Sequence, residues 1–466
     1  MYRKALSDIN EWKNRTDRKP LIIRGARQVG KTWLVREAAR KYFENLIEIN
    51  FDRTPDKAQL FKTGDIEKIL QLLEIDTDTE IVPGKTLIFF DEIQAEPSLL
   101  PLLRYFFEER PDIHILAAGS LLEFLLAEHD FSMPVGRIEY LHLGPMNFEE
   151  FLLGLGQDRL SRFLNIFSLE DRIPESIHNN LVYYVRLFWI IGGMPAAVKR
   201  YGSEQNFIAV EREHESILQT YEDDFSKYRQ RIHFERLRKV FRRLPSLIGG
   251  KLKYVNLDPN GKSRDLADKL HLLELARIYY PVRHSAGNGV PLGAEVKERD
   301  FKPLFFDIGL MTTGLGLNLA DLHAEEELLM INNGAMAEQF IGQHLLYRQQ
   351  SYKRPELYYW NREKKSSRAE VDYLISVNGQ VVPVEVKAGK TGSLKSLQVF
   401  MSEKKLPAAV RFNSMEPSCL ETKSAIAGKE NVRFSFISLP LYLVCQVERL
   451  VREQNTFRTS SATILP

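Results

Sequence analysis

The stretch Gly25-Ala26-Arg27-Gln28-Val29-Gly30-Lys31-Thr32 follows the apolar run Leu21-Ile22-Ile23 and leads into a helix-patterned segment over 33–42. It fits G-x-x-x-x-G-K-[ST] in full, and few eight-residue stretches restrict a fold as much. The chain must leave a strand, curl through two glycines and enter a helix, so that successive backbone N–H groups face one point. The helix N-terminus adds unpaired donors and the positive end of a dipole, which favours an anion. Lys31 supplies a charge suited to the β- and γ-phosphates of ATP, and the Thr32 hydroxyl suits Mg²⁺. The nucleotide-binding candidates are therefore Gly25, Ala26, Arg27, Gln28, Val29, Gly30, Lys31, Thr32 and Trp33. A plain Gly-containing turn is the alternative, and the strand before and helix after argue against it.

At 466 residues the chain should hold two to four domains, on a prior of about 150 residues each. Charged residues make up 27% and the net charge is +2, so the total announces neither a polyanion binder nor an acidic solvating protein. Any nucleic-acid surface must be local. Cys419 and Cys445 have no zinc spacing and form no disulfide framework. The N-terminus lacks an apolar signal core, and no run approaches the roughly 18 apolar residues of a membrane span. These features predict a cytoplasmic protein with no membrane partner, and a mobile tail over 451–466.

Residues 45–51 read as a strand, 65–73 as an amphipathic helix, and 86–90 as a continuous apolar run suited to a central parallel strand. That run ends in Asp91-Glu92, a Walker B pattern in which acids emerge at the carboxyl end of a core strand. Asp91 would hold Mg²⁺ and Glu92 would polarise the attacking water. A strand ending in solvated acids is the bland alternative. The next core strand, over 113–119, ends at Ser120, a residue that also suits the N-cap of a helix over 121–128. Arg137, beyond a Pro/Gly stretch, could bring charge to a phosphoryl-transfer site or simply lie on the surface.

The segments GARQVGKT, LIFFDEIQ, AAGSLLEF, VGRIEYLHLGPMNFEEF and GGMPAAV, in this order, resemble a family of bacterial and archaeal AAA+ ATPases fused to a C-terminal domain of unknown function. The resemblance runs from about Lys19 to Lys387. It implies ATP hydrolysis with Mg²⁺, a helical lid after the core, and a sensor 1 role for Ser120 toward the γ-phosphate. Ala117-Ala118 departs from it, since the family more often has a threonine there.

The middle third turns basic: Lys227, Arg229, Arg231, Arg236, Arg238, Lys239, Arg242, Arg243, Lys251 and Lys253 accompany only Glu235. Such a cluster can neutralise DNA phosphates, or it can be a solvated face paired with Glu222, Asp223 and Asp224. A helix over 263–276, strand candidates at 278–283 and 294–299, and the turn at 287–289 follow in the order of a winged helix. Winged helices also contact proteins, so the order leaves the partner open.

In the last third, two alternating apolar strands flank Asn378-Gly379, a strong signal for a two-residue type I′ hairpin. The turn sets a register in which opposed residue numbers sum to 757. Val371, Tyr373 and Ile375 then share one apolar face with Val382, Val384 and Val386, while Asp372 opposes Glu385 and Glu370 opposes Lys387. Like charges so placed repel, and a divalent cation would reverse the sign. Asp372 with Glu385-x-Lys387 resembles the PD-(D/E)XK nuclease core. That resemblance implies Mg²⁺ or Mn²⁺ on Asp372, Glu385 and Glu338, a catalytic Lys387, and a contribution from Gln398. A hairpin with one wet, charged face is the alternative.

The expected fold is therefore α/β: a P-loop NTPase parallel sheet of AAA+ type (1–155), a helical lid (156–225), a winged-helix-like basic domain (226–325) and a restriction-endonuclease-like domain (326–450). The catalytic candidates are Lys31, Glu92, Asp372, Glu385 and Lys387; the metal candidates are Thr32, Asp91, Asp372, Glu385 and Glu338; Ser120 and Arg137 join the nucleotide site. The expected partners are ATP, double-stranded DNA and further copies of the chain. Three functions fit: an ATPase coupled to DNA binding, an ATP-gated metal-dependent endonuclease, or a nucleotide-switched binding protein with an inactive nuclease-like domain.

Overall fold

The structure is a computed structural model that describes all residues except 1, 120–121, 123–135, 226–233, 318, 320–332, 365–366, 390–393, 425, 427–430 and 463–466. Strands β1 (Leu21–Arg24), β2 (Asn45–Asn50), β3 (Thr86–Asp91), β4 (His114–Ala118) and β5 (Glu139–His142) form a parallel sheet in the order β2-β3-β4-β1-β5. The run at 86–90 is apolar throughout because β3 is covered on both faces. Leu87 and Phe89 pack in the core with helices Ala5–Asn14 and Lys31–Tyr42, while Ile88 and Phe90 pack with helices Ile66–Thr77 and Leu99–Glu109. Because the strands are parallel, the loop at 25–32, Asp91-Glu92 and Gly119 all emerge at one edge.

Helices then dominate, as expected: Phe148–Gly154, Asp158–Ile166, Glu175–Ile191, Pro195–Glu204 and Phe207–Asp224. Asn147 and Glu150 form a capping box at the first of these. The GGMP segment makes a tight junction. Gly192 has a φ of +72°, and Gly193 donates to Asp307 (2.7 Å) and accepts from the Met146 N–H (2.7 Å). Any side chain at Gly193 would meet the Met146 carbonyl at 2.2 Å.

The second sheet has eight strands: β6 (Tyr279–Ser285), β7 (Val296–Phe305), β8 (Tyr358–Lys364), β9 (Ser367–Val377), β10 (Gln380–Val386), β11 (Ala408–Asn413), β12 (Ser418–Lys423) and β13 (Arg433–Pro440). Their order is β12-β13-β11-β10-β9-β8-β6-β7. The hairpin read as a wing, β6–β7, is thus the rim of this sheet, with Arg283 and His284 of β6 paired in parallel to Tyr358 and Tyr359 of β8. Strands assigned to separate domains, 226–325 and 326–450, hydrogen-bond as one layer. The segment expected as a tail from 451 begins within helix Val447–Ala462, where Val451 is fully buried. Among the described residues no single helix is long and apolar enough to cross a membrane.

The β9–β10 hairpin keeps the expected register from Gln380↔Val377 to Val384↔Tyr373. Asn378 and Gly379 take φ values of 50° and 74°, as a type I′ turn requires. The β9–β10 pairing ends there, short of the expected Asp372–Glu385 and Glu370–Lys387 pairs, next to an irregularity where β9 meets β8. On β8, one residue separates Tyr358 from Trp360, whereas on β9 two residues, Asp372 and Tyr373, separate their partners Leu374 and Val371. This bulge switches the face of Val371, which packs with Leu374 and Val381 rather than with Tyr373 and Ile375.

Candidate functional site

The loop at 25–32 is held open from outside. Arg3 donates to the Val29 carbonyl (2.7 Å) and the Tyr221 hydroxyl to the Arg27 carbonyl (2.8 Å). In a trans peptide the next N–H points the opposite way, so the N–H groups of Gly30 and Gln28 are turned away from these donors. Gln28 and Gly30 have positive φ values of 61° and 93°, which makes the curl possible. A Cβ at Gly25 would stand 2.2 Å from the Leu143 carbonyl, so only glycine fits. Arg27 pairs with buried Asp224 at 2.5 Å, and Trp33 lies in the first turn of the helix that follows.

Lys31 is buried, and its Nζ donates to the carbonyls of Gly25 (2.9 Å) and Ala26 (2.8 Å). Burial lowers its pKa to about 8, although Glu92 and Asp91 pull the other way. The Thr32 hydroxyl lies 3.3 and 3.2 Å from the Asp91 oxygens, and Asn50 donates to Asp91 Oδ2 (2.9 Å). Burial, then Glu92, raises the Asp91 pKa. A hydroxyl and a carboxylate sharing one point suit Mg²⁺, which takes one or two protein ligands and keeps its waters. Glu92 has a φ of 51°, a strained position for a residue with a Cβ. Gln94 donates to Glu92 Oε2 (2.5 Å), and its own Oε1 would collide with a Cβ at Gly119, 2.2 Å away. Thus Gln94 packs against Gly119, just past the end of β4, while bonding Glu92 at the end of β3.

Asn50 and Gln94 escaped the sequence reading. Each is a polar residue at a core-strand exit, which is the available signal. Ser120 lies outside the described residues. Arg137 does not join the nucleotide site within its own chain: it precedes the amino end of β5, the opposite edge of the sheet, and bonds Glu108 (2.8 Å).

The C-terminal acids gather around a residue that the hairpin reading missed. Lys302 of β7 is buried, and its Nζ lies 3.0 Å from Glu338, 2.9 Å from Glu370 and 3.7 Å from Asp372. Asp372 also accepts from the Val386 N–H (2.8 Å), and Lys387 bonds Glu385 (2.5 Å). Glu370 therefore pairs with Lys302 and not with Lys387. Burial, opposed by Lys302 and reinforced by Asp372, raises the Glu338 pKa to about 7; burial and Asp372 do the same for Glu385. Burial disfavours the charge of Lys302 too, yet Glu338, Asp372 and Glu370 outweigh it and hold its pKa well above the ordinary value. Glu385 Oε2 is buried without a hydrogen-bond partner among the described residues. Gln398 lies in helix Lys395–Lys404, and no hydrogen bond among the described residues joins it to these acids.

Among the described residues no group of three or more His, Cys, Asp and Glu is arranged to hold a metal ion. The site expected on Asp372, Glu385 and Glu338 does not fit a divalent cation here, because the ammonium of Lys302 stands among the acids. The basic stretch is also largely partnered: Arg236 bonds Asp265, Lys239 bonds Asp258, and Arg242 bonds Glu222. Lys227, Arg229 and Arg231 lie outside the described residues.

Residues 17–152 match the model of the AAA domain, and two models described as domains of unknown function, DUF8612 and DUF4143, match 183–321 and 333–442. The first third thus matches an AAA domain. No curated protein matches the chain. Among solved structures, the ORC2 protein of Aeropyrum pernix is similar at 14% identity over 69% of this chain and 94% of that one, with a TM-score of 0.34. The Thermotoga maritima RuvB Holliday junction branch migration motor is similar at 18% identity over 64% and 91%, with a TM-score of 0.29. C. elegans PCH-2 is similar at 12% over 45% and 67%, also with a TM-score of 0.29. All three scores are below 0.5, too low to carry fold or function across.

Proposed function

We propose that the chain is an ATPase whose turnover requires Mg²⁺, acting from the edge where β1, β3 and β4 end. The observation that carries this reading is the convergence of Lys31, the Thr32–Asp91–Asn50 cluster and Glu92 beneath one glycine loop. The loop N–H groups bind the phosphates. Lys31 exchanges two carbonyl acceptors for phosphate oxygens, a stronger, charge-assisted contact. Asp91, oriented by Asn50, and Thr32 would hold the metal, which would supply neutralisation of charge developing on the phosphates. Glu92 accepts a proton from the attacking water. The test is hydrolysis of ATP by purified protein beside Lys31→Ala. A loss of about 100-fold or more is expected, of the size seen when one preorganised charge contact is removed, and equal rates would refute the assignment.

The finer reading couples this ATPase to double-stranded DNA. Its support is an open groove of about 880 Å³ whose lining includes Arg238, Lys239, Arg242 and Arg243 beside Glu235 and Val255; the ion pairs of Arg238, Lys239 and Arg242 weigh against it. Stimulation of ATP hydrolysis by double-stranded DNA, weakening as salt rises, is the expected result. The endonuclease alternative needs a metal on Asp372 and Glu385, a demand that Lys302 opposes. The switch alternative needs none.

A further inference from the structure

We infer that Lys302 is the resident cation of the C-terminal acid cluster and takes the place of a divalent metal, so that this nuclease-like centre works as a charged joint. The clearest sign is convergence. Three carboxylates from two elements, Glu338 on helix Asn333–Leu346 and Glu370 and Asp372 on β9, point to one ammonium from a third element, β7. The ammonium is buried. A divalent ion held by Glu338 and Glu370 would need their oxygens at about 2.0–2.6 Å from its own centre, in space that Nζ, 3.0 and 2.9 Å from them, already fills.

The donors around the acids agree. Asp372 accepts from the Val386 N–H at Oδ2, its Oδ1 lies 3.7 Å from the Lys302 ammonium as a looser ion pair, and the β9 bulge at Asp372-Tyr373 sets its aim. Tyr373, the other bulge residue, donates its hydroxyl to the Glu338 carbonyl (2.8 Å), fixing the helix against β9. Lys387 is turned to Glu385. One oxygen each of Glu338, Glu370, Asp372 and Glu385 is thus committed to a protein donor.

The joint also has a location that gives it a purpose. β7 lies in the segment matched by one domain model, 183–321, whereas helix Asn333–Leu346 and β9 lie in the segment matched by the next, 333–442. Lys302 therefore ties the rim strand of the sheet to the helix and strand that carry the acids. A lysine suits this better than a metal because the link is made by folding alone and does not depend on ion supply.

The test is Mn²⁺ titration of the full-length, nucleotide-free protein, followed by electron paramagnetic resonance. Wild type, Asp372→Asn, Lys302→Met and Lys302→Met/Asp372→Asn are compared, with cooperative unfolding checked for each. Wild type and Asp372→Asn should bind equal numbers of Mn²⁺, and Lys302→Met should take up one more, lost again in the double variant. Wild type binding one Mn²⁺ more than Asp372→Asn would overturn the inference, as would a folded Lys302→Met that gains none. Should Lys302→Met not fold, the wild-type and Asp372→Asn pair still decides. ATP hydrolysis enters neither arm, so the ATPase reading stands or falls separately.

Discussion

Two buried lysines anchor the two ends of this molecule, and their surroundings are opposite in kind. Lys31 is held by neutral carbonyls, Gly25 and Ala26, and burial lowers its pKa to about 8. Lys302 is held by carboxylates, and its pKa lies well above the ordinary value. The contrast separates a charge kept available from a charge already satisfied. An ammonium bonded to carbonyl dipoles, with Glu92 and Asp91 acting on it only electrostatically, gains much from an arriving phosphate, whereas one among three acids has little left to gain.

The sharpest way to break this contrast is to replace each lysine by methionine and measure unfolding by denaturant. Lys302→Met leaves buried acids without their counter-ion and should lose about 3–5 kcal/mol, the range for removing one partner of a buried ion pair. Lys31→Met removes a charge that burial disfavours, so stability should hold or rise while ATP hydrolysis collapses. Equal losses in both variants would mean that the two lysines have the same structural role.

A second comparison uses pH. Glu338 and Glu385 are raised from 4.5 to about 7, so the folded state favours their protonated forms. The stability this contributes is full below pH 4.5 and is lost as pH rises through 7. Lys31 has the other sign: a lowered pKa contributes stability above 10.5 that is lost as pH falls through 8. Unfolding free energy should therefore decline by about 1–3 kcal/mol between pH 5 and 7.5 through the C-terminal acids, and Glu385→Gln should flatten part of that slope. A slope unchanged in Glu385→Gln would remove this acid from the account.

The two ends also differed in how far the sequence revealed them. The phosphate loop was legible because its parts are neighbours in the chain, and Asp91-Glu92 because a strand buried on both faces ends there. The hairpin register was legible for a similar reason, since Asn378-Gly379 sets it locally. Lys302 was not, because its partners lie 36 and 68 positions away. Its one signal is parity: it shares a strand face with Leu304, which is 1% exposed, so a charged side chain was bound to meet partners inside. The β9 bulge was hidden too, because it is defined by pairing to β8. The wing reading could not foresee the partner of β6 on the same ground, since helix, helix, hairpin describes the local order and says nothing of a third strand pairing beside it.

The smallest expected effect tests whether the acid beyond the phosphate loop is held as firmly as the C-terminal acids are. Glu92 is kept in a strained backbone position, and its contact to Gln94 is a single neutral amide. Gln94 touches neither phosphate nor metal in the proposed arrangement, so it acts as a positioning residue through Glu92. Gln94→Leu removes the donor and keeps similar bulk beside Gly119. Loss of orientation at a general base should lower kcat about tenfold, or ~1.4 kcal/mol, with KM for ATP unchanged. A rise in KM at constant kcat would place Gln94 in nucleotide binding instead. An unchanged kcat would show that Gln94 does not aim Glu92, and that this contact is no clamp of the kind Lys302 forms at the other end.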